Sequence, residues 1–512
     1  MSTEIDRFSQ TLTRCCAIIR NNDKLSSDGV FDDLSKILFM KNQYDQKCQT
    51  ERKDFSAKEF IQYLNQTDEE IKREIKDDRL GKEIKEIQVK QASLEQIIEE
   101  IGKFNLPEMP NNIKGPTFHE FINQTLNKQL RQFFTPRPIV DFMVKILDPY
   151  QGELICDPCC GSGSFLVKTV RHLREKFIKK ADKAHGAALS KDYVINMTNG
   201  CIFGVDANPR MVWASKLNMI MHGGGHDGIH WGDGLLNKTG VFDGRFNVIF
   251  ANPPFGRRVI KDLVISPIDC MTEKEITDYE TRMCVHAGES LRVVKNNVGK
   301  PIIELFDLGK ITKMTEVLFM ERCLRLLKPG GRMGIVLPEN VLNSPKLEKA
   351  RDYVEGKAKL IFIASLPKNA FHLSGVNVKT SIIFLKKFSK DERKRYHEIL
   401  EMAKDAVNKK FAKDLGKEIR AAKNRKPDNQ RKKELTARMR DEIKNIVKKE
   451  FDYEIPLVMV EKATENHLIE IAAEYTAYRK KTSYGIFPGH LSNPGNCNRA
   501  LYRYRLTGYP GN

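Results

Sequence analysis

The sequence lacks the features of membrane, secreted and disulfide-stabilised proteins. No uninterrupted apolar run in its 512 residues approaches the roughly 20 residues that cross a bilayer, so we expect no membrane-spanning helix. The first ten residues, MSTEIDRFSQ, show no basic segment followed by an apolar one, which argues against a secretory signal. The 11 cysteines are odd in number and follow no repeated spacing. We therefore expect free thiols and a cytoplasmic protein.

The sequence also lacks a set of ligands that could hold a structural metal ion. Cys156 and Cys159 form one C-x-x-C pair, but neither a second pair nor a histidine cluster lies nearby to supply the four ligands of a structural zinc. The sequence therefore predicts no metal site.

Acidic residues are in short supply. The chain has 86 Lys and Arg against 67 Asp and Glu, a formal net charge of +19. Because phosphates attract such a surface whatever their sequence, a polyanion is one expected partner, and a merely lysine-rich protein is the alternative. Much of the excess lies between 386 and 450, where 23 Lys and Arg face 12 Asp and Glu.

Composition and the spacing of apolar residues divide the chain into four parts. Residues 1–116 show apolar side chains at helical spacing, as in FDDLSKILFM at 31–40, and predict an all-α domain. The proline-containing segment LPEMPNNIKGP at 106–116 is interpreted as its exit linker. Residues 388–481 are charged and predict helices throughout, including a helix pair after 452. Residues 482–512 are rich in Gly, Pro and Asn and predict a tail.

Short β-rich runs alternate with helical stretches in the second part, 117–387. The predicted strands are ELICD (153–157), CIFGVD (201–206), FNVIFA (246–251), RMGIVLP (332–338), KLIFIASL (359–366) and VKTSIIFLKK (378–387). Continuous apolar strands separated by helices indicate a parallel sheet covered on both faces. The predicted fold class is α/β, doubly wound.

A glycine-rich loop, DPCCGSGSF at 157–165, follows the first predicted strand. Two closely spaced glycines let the backbone turn sharply and approach a ligand. A dinucleotide fingerprint would need Gly or Ala where Leu166 stands, and no Gly-Lys-Ser/Thr follows for a nucleoside triphosphate. The remaining pattern resembles the S-adenosylmethionine loop of amino-methylating methyltransferases. That resemblance implies S-adenosylmethionine as cofactor, with these contacts: Asp157, Pro158, Gly161, Ser162, Gly163 and Phe165.

Two later acids extend the predicted cofactor site. Asp206 ends the next strand, where a carboxylate can accept hydrogen bonds from both hydroxyls of a ribose. Asp233 ends a short run before the following strand and is placed to meet an adenine amino group. Taken alone, each acid would more often be a loop or cap carboxylate, but their order behind one sheet favours the cofactor role.

The motif Asn252-Pro253-Pro254-Phe255 follows the strand FNVIFA and is the predicted catalytic site. Two prolines remove two donors and leave carbonyls and the Asn252 side chain at the carboxyl edge of the sheet. An exocyclic amine whose two N–H groups are held by the Asn252 oxygen and the Pro253 carbonyl can attack a sulfonium methyl. Phe255 then offers a face for an extruded base.

Together with Gln132-Phe133-Phe134-Thr135-Pro136-Arg137, these motifs resemble the methyltransferase (M) subunit of type I restriction-modification systems, over about 118–387. The resemblance implies N6-adenine methylation of double-stranded DNA on a mostly parallel seven-stranded class I methyltransferase sheet. It also implies that this Gln132–Arg137 segment borders the methionine end of the cofactor. GVDANPRMVWASKLNMIMHG at 204–223 matches a further family pattern, with Asp206 where Glu is more usual. A polar stretch at 257–303 is longer than the family pattern predicts and is interpreted as a DNA-facing or lid loop.

The residues that follow the predicted sheet indicate which partner proteins to expect. Because no β-rich region remains to read base edges, we expect sequence specificity to come from outside this chain. The resemblance implies a separate specificity (S) subunit, gripped by helices of the M subunits. Helices within 388–481 are the candidate contact, and a phosphate-binding face or a solvated coil are the alternatives. The resemblance implies two M subunits per S subunit and a restriction subunit as a further partner. Alternatives are the same chemistry on RNA guanine or protein glutamine, a stand-alone DNA methyltransferase, and a DNA-binding scaffold without activity. Cys159, although it follows Pro158 as the nucleophile of cytosine-C5 methyltransferases does, is interpreted with Cys160 as a packing side chain.

Overall fold

The chain folds around one mostly parallel β-sheet with helices on both faces. The computed structural model describes residues 2–65, 87–126, 134–181, 198, 200–259, 263–371, 378–423, 429–450, 457–459, 468 and 471–473. The predicted tail at 482–512, together with Gln132 and Phe133, lies outside these residues.

Six helices precede the first strand in the described part of the chain. They are α1 (Ser2–Ile18), α2 (Ser27–Glu51), α3 (Ala57–Asn65), α4 (Gln91–Gly102), α5 (Asn111–Thr125) and α6 (Arg137–Leu147). The Ser26 hydroxyl caps the amino terminus of α2 by accepting a hydrogen bond from Gly29 N. The predicted apolar face within 31–40 is confirmed, because Phe31, Leu34 and Ile37 are fully buried.

The predicted linker at 106–116 is wrong over its second half. Residues from Asn111 onward already belong to α5, which contains Pro116. A proline inside a helix removes one backbone hydrogen bond, but burial of Ile113 and Phe118 outweighs that loss. The helix therefore runs across the predicted domain boundary, and one continuous core joins the amino-terminal helices to the sheet.

The described sheet has eight strands. They are β1 (Ile155–Asp157), β2 (Ile202–Asp206), β3 (Ile229–Trp231), β4 (Phe246–Ala251), β5 (Leu327–Pro338), β6 (Ala358–Ser365), β7 (Thr380–Lys387) and β8 (Leu457–Met459). Their order is β3-β2-β1-β4-β5-β7-β6-β8. All neighbours pair in parallel except β7, which is antiparallel to both β5 and β6. The predicted doubly wound, mostly parallel fold is confirmed.

The eighth strand corrects the prediction of helices alone after the seven-stranded sheet. Leu457 pairs with Ile363 and Met459 with Ser365, so β8 adds a parallel strand beyond β6. The strand has only three residues, which is too short for an apolar periodicity to distinguish it from a helix.

Helices cover both faces of the sheet. Those that follow β1 are α7 (Ser164–Ala181), α8 (Pro209–Met221), α9 (Glu273–Arg282), α10 (Val285–Lys295), α11 (Thr315–Leu326), α12 (Glu339–Asn343), α13 (Glu348–Glu355), α14 (Lys390–Lys410), α15 (Ala412–Lys423) and α16 (Asn429–Glu450). Helices α6, α7 and α8 pack on one face with the amino-terminal helices, and α11 and α13 pack on the other. Within the predicted insertion, α9 and α10 share a small core that includes Tyr279 and Phe242.

Helices α14 and α16 form the charged carboxy-terminal region. They pack around Val407, Phe411 and Leu435. Ion pairs attach α16 to α13, where Lys444 Nζ lies 2.8 Å from Asp352. The helices expected from the charge pattern are therefore confirmed for 390–423 and 429–450. None of the helices in the described ranges is both long enough and apolar enough to span a membrane.

Candidate active site

A pocket opens at the carboxyl ends of β1 and β4. The chain runs from β1 to β2 on one side and returns through β4 on the other, so the topology reverses at this point, where α/β sheets bind ligands. The residues that line the pocket are Phe134, Thr135, Asp157, Cys159, Cys160, Ser162, Ser164, Phe165 and Asn252. The predicted cofactor loop and the predicted catalytic motif thus share one pocket.

The glycine loop needs its glycines. Gly161 and Gly163 have φ of 53° and 79°, a left-handed conformation that side chains disfavour. A Cβ at Gly163 would also lie 2.4 Å from Ser215 Oγ on α8, so a side chain there would push the loop away from that helix. The turn closes when Gly163 N donates to Cys160 O at 2.8 Å, and α7 begins directly after it.

Asp206 connects the end of β2 to the glycine loop. Its Oδ2 accepts a hydrogen bond from Gly161 N at 2.9 Å, and its Oδ1 accepts one from Asn208 N at 2.8 Å. Desolvation by the surrounding protein raises the pKa of Asp206 to about 6, although both hydrogen bonds favour the ionised form. A carboxylate offers about four acceptor sites, so this group can still accept from a ligand.

Asp157, at the end of β1, is the acid that lines the pocket itself, whereas Asp206 lies outside the lining and contacts the glycine loop. Asp157 is 1% exposed and accepts a hydrogen bond from Cys159 N at 3.0 Å. Burial raises the pKa of Asp157 to about 7, and the nearby negative charge of Asp206 raises it further. Burial therefore raises the pKa of both acids toward neutral pH.

Asp233 lies in the loop after β3, beside the cofactor loop but outside the pocket lining. Its Oδ1 accepts a hydrogen bond from Leu235 N at 2.9 Å, and burial raises its pKa. A Cβ at the neighbouring Gly234 would lie 1.8 Å from Pro158 O, so this glycine lets the two loops touch. The structure thus brings the third predicted acid to the edge of the site.

Asn252 is held at one end of its side-chain amide. Nδ2 donates a hydrogen bond to Thr135 Oγ1 at 2.9 Å. Oδ1 is buried and has no hydrogen-bond partner among the described residues. A buried acceptor without a donor is costly in a folded protein, so this oxygen is suited to a ligand that brings an N–H group.

The rest of the motif forms a rigid turn. Pro253 is buried and Phe255 is half-buried, with its ring edge-on to Phe371 at a centroid distance of 6.1 Å. After the motif, Gly256 N donates to Glu316 Oε1 at 3.5 Å and Thr315 N donates to Arg257 O at 3.1 Å. The first turn of α11 therefore supports the loop from outside the pocket.

The predicted segment at 132–137 reaches the pocket only in part. Phe134 and Thr135 line it, whereas Pro136 precedes α6 and the exposed Arg137 begins that helix. The structure does not bring Arg137 into the pocket lining.

Sequence reasoning missed several residues of this site. Cys159, Cys160 and Ser164 line the pocket. Burial raises the pKa of both thiols well above the ordinary value, which makes them poor nucleophiles and agrees with a packing role. Their position inside the glycine loop was the signal that could have identified them as lining residues. Glu316 carries no such signal. Across the described ranges, no three His, Cys, Asp or Glu side chains are grouped as metal ligands.

Comparisons with known proteins match the same region. The family model described as N-6 DNA Methylase matches residues 117–279 and 308–467. The Type I restriction enzyme EcoEI methylase subunit of Escherichia coli is 26% identical over 258 residues, which is 50% of this chain and 42% of that subunit. The HindI methylase subunit of Haemophilus influenzae is 31% identical over 147 residues, 28% of this chain and 29% of that subunit. This chain therefore aligns with less than half the length of these relatives.

Solved structures to which the chain is similar include methyltransferase subunits. A type I restriction-modification methyltransferase subunit from Streptococcus thermophilus gives a TM-score of 0.48 at 17% identity, with 75% of this chain and 86% of that chain covered. The type I restriction enzyme EcoKI M protein gives a TM-score of 0.37 at 20% identity, with 75% and 67% covered.

Proposed function

Since the chain belongs to the N-6 DNA methylase family, we propose that it methylates N6 of adenine in duplex DNA with S-adenosylmethionine. The observation that carries the proposal is the buried, unpartnered Asn252 Oδ1 in the same pocket as the glycine loop. An acceptor in this position suits an amine substrate, because an amine brings the donors that the site lacks.

The residues present fit the cofactor. Asp206, with free acceptor capacity at the end of β2, would hold the ribose hydroxyls, and Asp233 would accept from the adenine amino group. The left-handed turn at Gly161 and Gly163 would let the backbone approach the cofactor, and Phe134 and Thr135, which line the pocket, would border its reacting end. When bound, S-adenosylmethionine supplies an electrophilic methyl group on a sulfonium.

The target amine is activated by acceptors alone. Asn252 Oδ1 and the Pro253 carbonyl would accept its two N–H bonds, so that its lone pair points toward the methyl group. With S-adenosylmethionine bound, the held amine would take up the methyl group that the cofactor supplies, the cofactor's sulfur would be the leaving group, and one N–H proton would leave to solvent. Because positive charge grows on the amine during transfer, preformed acceptors stabilise the transition state more than the ground state.

A base must leave the duplex to reach this pocket. Phe255 is half-buried and fixed by Phe371, so it can present a ring face for stacking at little entropic cost. Stacking on an aromatic side chain contributes roughly 1–3 kcal/mol per base, which offsets part of the cost of unstacking.

Sequence recognition would come from a separate specificity subunit, with two copies of this chain per specificity subunit and a restriction subunit as a further partner. The charged helices α14 and α16 are the proposed contact, because they form a hairpin with its own small core and the strongly exposed Met402. Ion pairs between α16 and α13 would transmit the position of that hairpin to the catalytic sheet.

The test is transfer of a labelled methyl group from S-adenosylmethionine to duplex DNA, with and without the co-purified specificity partner. We expect label in DNA only with the partner, and label in RNA or protein but never in DNA would overturn the substrate. Asn252→Ala should abolish transfer and largely spare cofactor binding measured by calorimetry. Equal loss of both would show that Asn252 is structural.

A further inference from the structure

We propose that Thr135 is a positioning residue that fixes the orientation of the Asn252 amide, an inference that rests on the proposed methyl transfer to an amine. The two residues lie 117 positions apart, and both line the pocket. Thr135 would thereby serve the methyl acceptor as well as border the cofactor.

Orientation matters because the two ends of an amide have opposite hydrogen-bonding roles. The oxygen accepts, whereas the nitrogen carries two donors. With Nδ2 bonded to Thr135 Oγ1 at 2.9 Å, Asn252 leaves Oδ1 as its buried open end. The reversed amide would set its own N–H groups against the N–H groups of the target amine and repel them.

The backbone holds Thr135 firmly. Pro136 follows it, and the carbonyl of Pro136 accepts hydrogen bonds from Ile139 N and Val140 N at 3.0 and 3.1 Å in the first turn of α6. Ile139 and Val140 are buried in the core that carries the sheet. The hydroxyl therefore meets Asn252 from a rigid element, as preorganisation requires.

Two substitutions separate the hydroxyl from the shape of the side chain. Thr135→Val keeps the volume and removes the acceptor, so we expect kcat for DNA methylation to fall about tenfold or more. Thr135→Ser keeps the hydroxyl and should retain kcat within about threefold. Both variants should unfold at nearly the wild-type temperature, and kcat is compared at saturating S-adenosylmethionine because Thr135 also borders the cofactor.

Asn252→Asp supplies the discriminating background. An ionised carboxylate has two equivalent acceptor oxygens, so it needs no neighbour to select which end faces the amine. In the Asn252→Asp protein, adding Thr135→Val should lower kcat by less than about twofold, against tenfold in the wild type. The measurement is a double-mutant cycle on kcat with the specificity partner present.

The possible results separate this inference from the function on which it rests. A tenfold loss in both backgrounds, or a Thr135→Val protein with a lowered unfolding temperature, would make Thr135 structural and overturn the inference. A Thr135→Val protein with unchanged kcat would overturn it as well, while leaving the methyltransferase function standing. A wild-type protein that never labels DNA would overturn both.

Discussion

Arg210 at the start of α8 forms a bidentate ion pair with Asp32 of α2, 178 residues earlier in the chain. Nε and Nη2 of Arg210 each lie 2.7 Å from one carboxylate oxygen, and Nη1 lies 3.2 Å from Asp28 Oδ2. Three residues further along α8, Trp213 Nε1 donates to Ser35 Oγ at 2.8 Å. The helix that follows Asp206 is therefore fixed on the amino-terminal helices.

This attachment predicts that the amino-terminal helices influence cofactor binding. Arg210→Ala should weaken S-adenosylmethionine binding severalfold, because α8 begins just after the loop that carries Asp206. It should also lower the free energy of unfolding by about 1–3 kcal/mol, as expected when a charged hydrogen-bonding partner is removed. Calorimetry and denaturant unfolding measure the two effects.

Arg14→Ala is the matched control, since Arg14 forms an exposed ion pair with Glu100 within the same helical region. We expect neither cofactor affinity nor stability to change measurably in that variant. If Arg210→Ala lowered stability with unchanged cofactor affinity, the helices would support the fold without influencing the site.

Asp206 provides a second prediction. Asp206→Ala should lower affinity for S-adenosylmethionine at least tenfold, because it removes the proposed ribose acceptor and the anchor of Gly161 N. Asp206→Glu should keep most of the affinity, since either carboxylate can accept from two hydroxyls. In the wild type, affinity should fall as pH is lowered through about 6, where Asp206 becomes protonated. Calorimetry with the exposed Asp278→Ala as control tests this, and an unchanged affinity in Asp206→Ala would refute the ribose role.

Asp157 predicts a pH dependence of stability in the absence of cofactor. Burial raises its pKa in the folded protein to about 7, against an ordinary value of 3.8. Between those values the unfolded chain has released the proton and the folded chain retains it. The wild type should therefore lose up to about 1.36 kcal/mol of unfolding free energy per pH unit from this group as pH rises, with no further loss above about 7.

Asp157→Asn removes that titration and keeps the oxygen that accepts from Cys159 N. The unfolding free energy of Asp157→Asn minus that of the wild type should therefore grow between pH 5 and pH 8. Denaturant titrations at several pH values measure this difference. A difference that stays constant with pH would mean that Asp157 does not titrate in this range. The exposed Asp278→Asn should show no such trend.

Local patterns explain why much of the site could be predicted from the sequence. Asp157 and Asp206 end apolar strands and Asn252 directly follows one, and parallel strands deliver their carboxyl ends to one edge. The glycine loop is equally local, because its two left-handed residues stand next to the strand that they follow. Such features can be predicted from the few residues on either side of a turn.

Other features depend on distant parts of the chain and could not be predicted. The bond between Thr135 and Asn252 joins residues 117 apart, and β8 acquires its structure by pairing with β6. The helix that contains Pro116 forms because its apolar residues are buried, whereas local propensity indicates a linker. In each case tertiary packing outweighs the local signal.

Glu316 is another residue whose role depends on distant parts of the chain, because it contacts the turn after the predicted catalytic motif. It is 1% exposed, its Oε1 accepts from Gly256 N, and its Oε2 has no hydrogen-bond partner in the described part of the chain. Burial raises its pKa, because desolvation disfavours the ionised carboxylate. What it supplies is an acceptor for the turn that directly follows Phe255.

Two substitutions at Glu316 test that role. Glu316→Gln keeps the shape and one acceptor, so kcat should stay within about twofold of the wild type. Glu316→Ala leaves Gly256 N without its acceptor and opens space behind the turn, so kcat should fall about threefold to tenfold with little change in cofactor affinity.

Glu321→Gln is the comparison, because Glu321 on the same helix accepts from Asp307 N and Leu308 N, away from the pocket. Glutamine can satisfy only one of those two donors, so Glu321→Gln should lower the free energy of unfolding by about 1–3 kcal/mol and leave kcat unchanged. If Glu316→Ala behaved in the same way, with lower stability and an unchanged kcat, Glu316 would support α11 rather than the turn after Phe255.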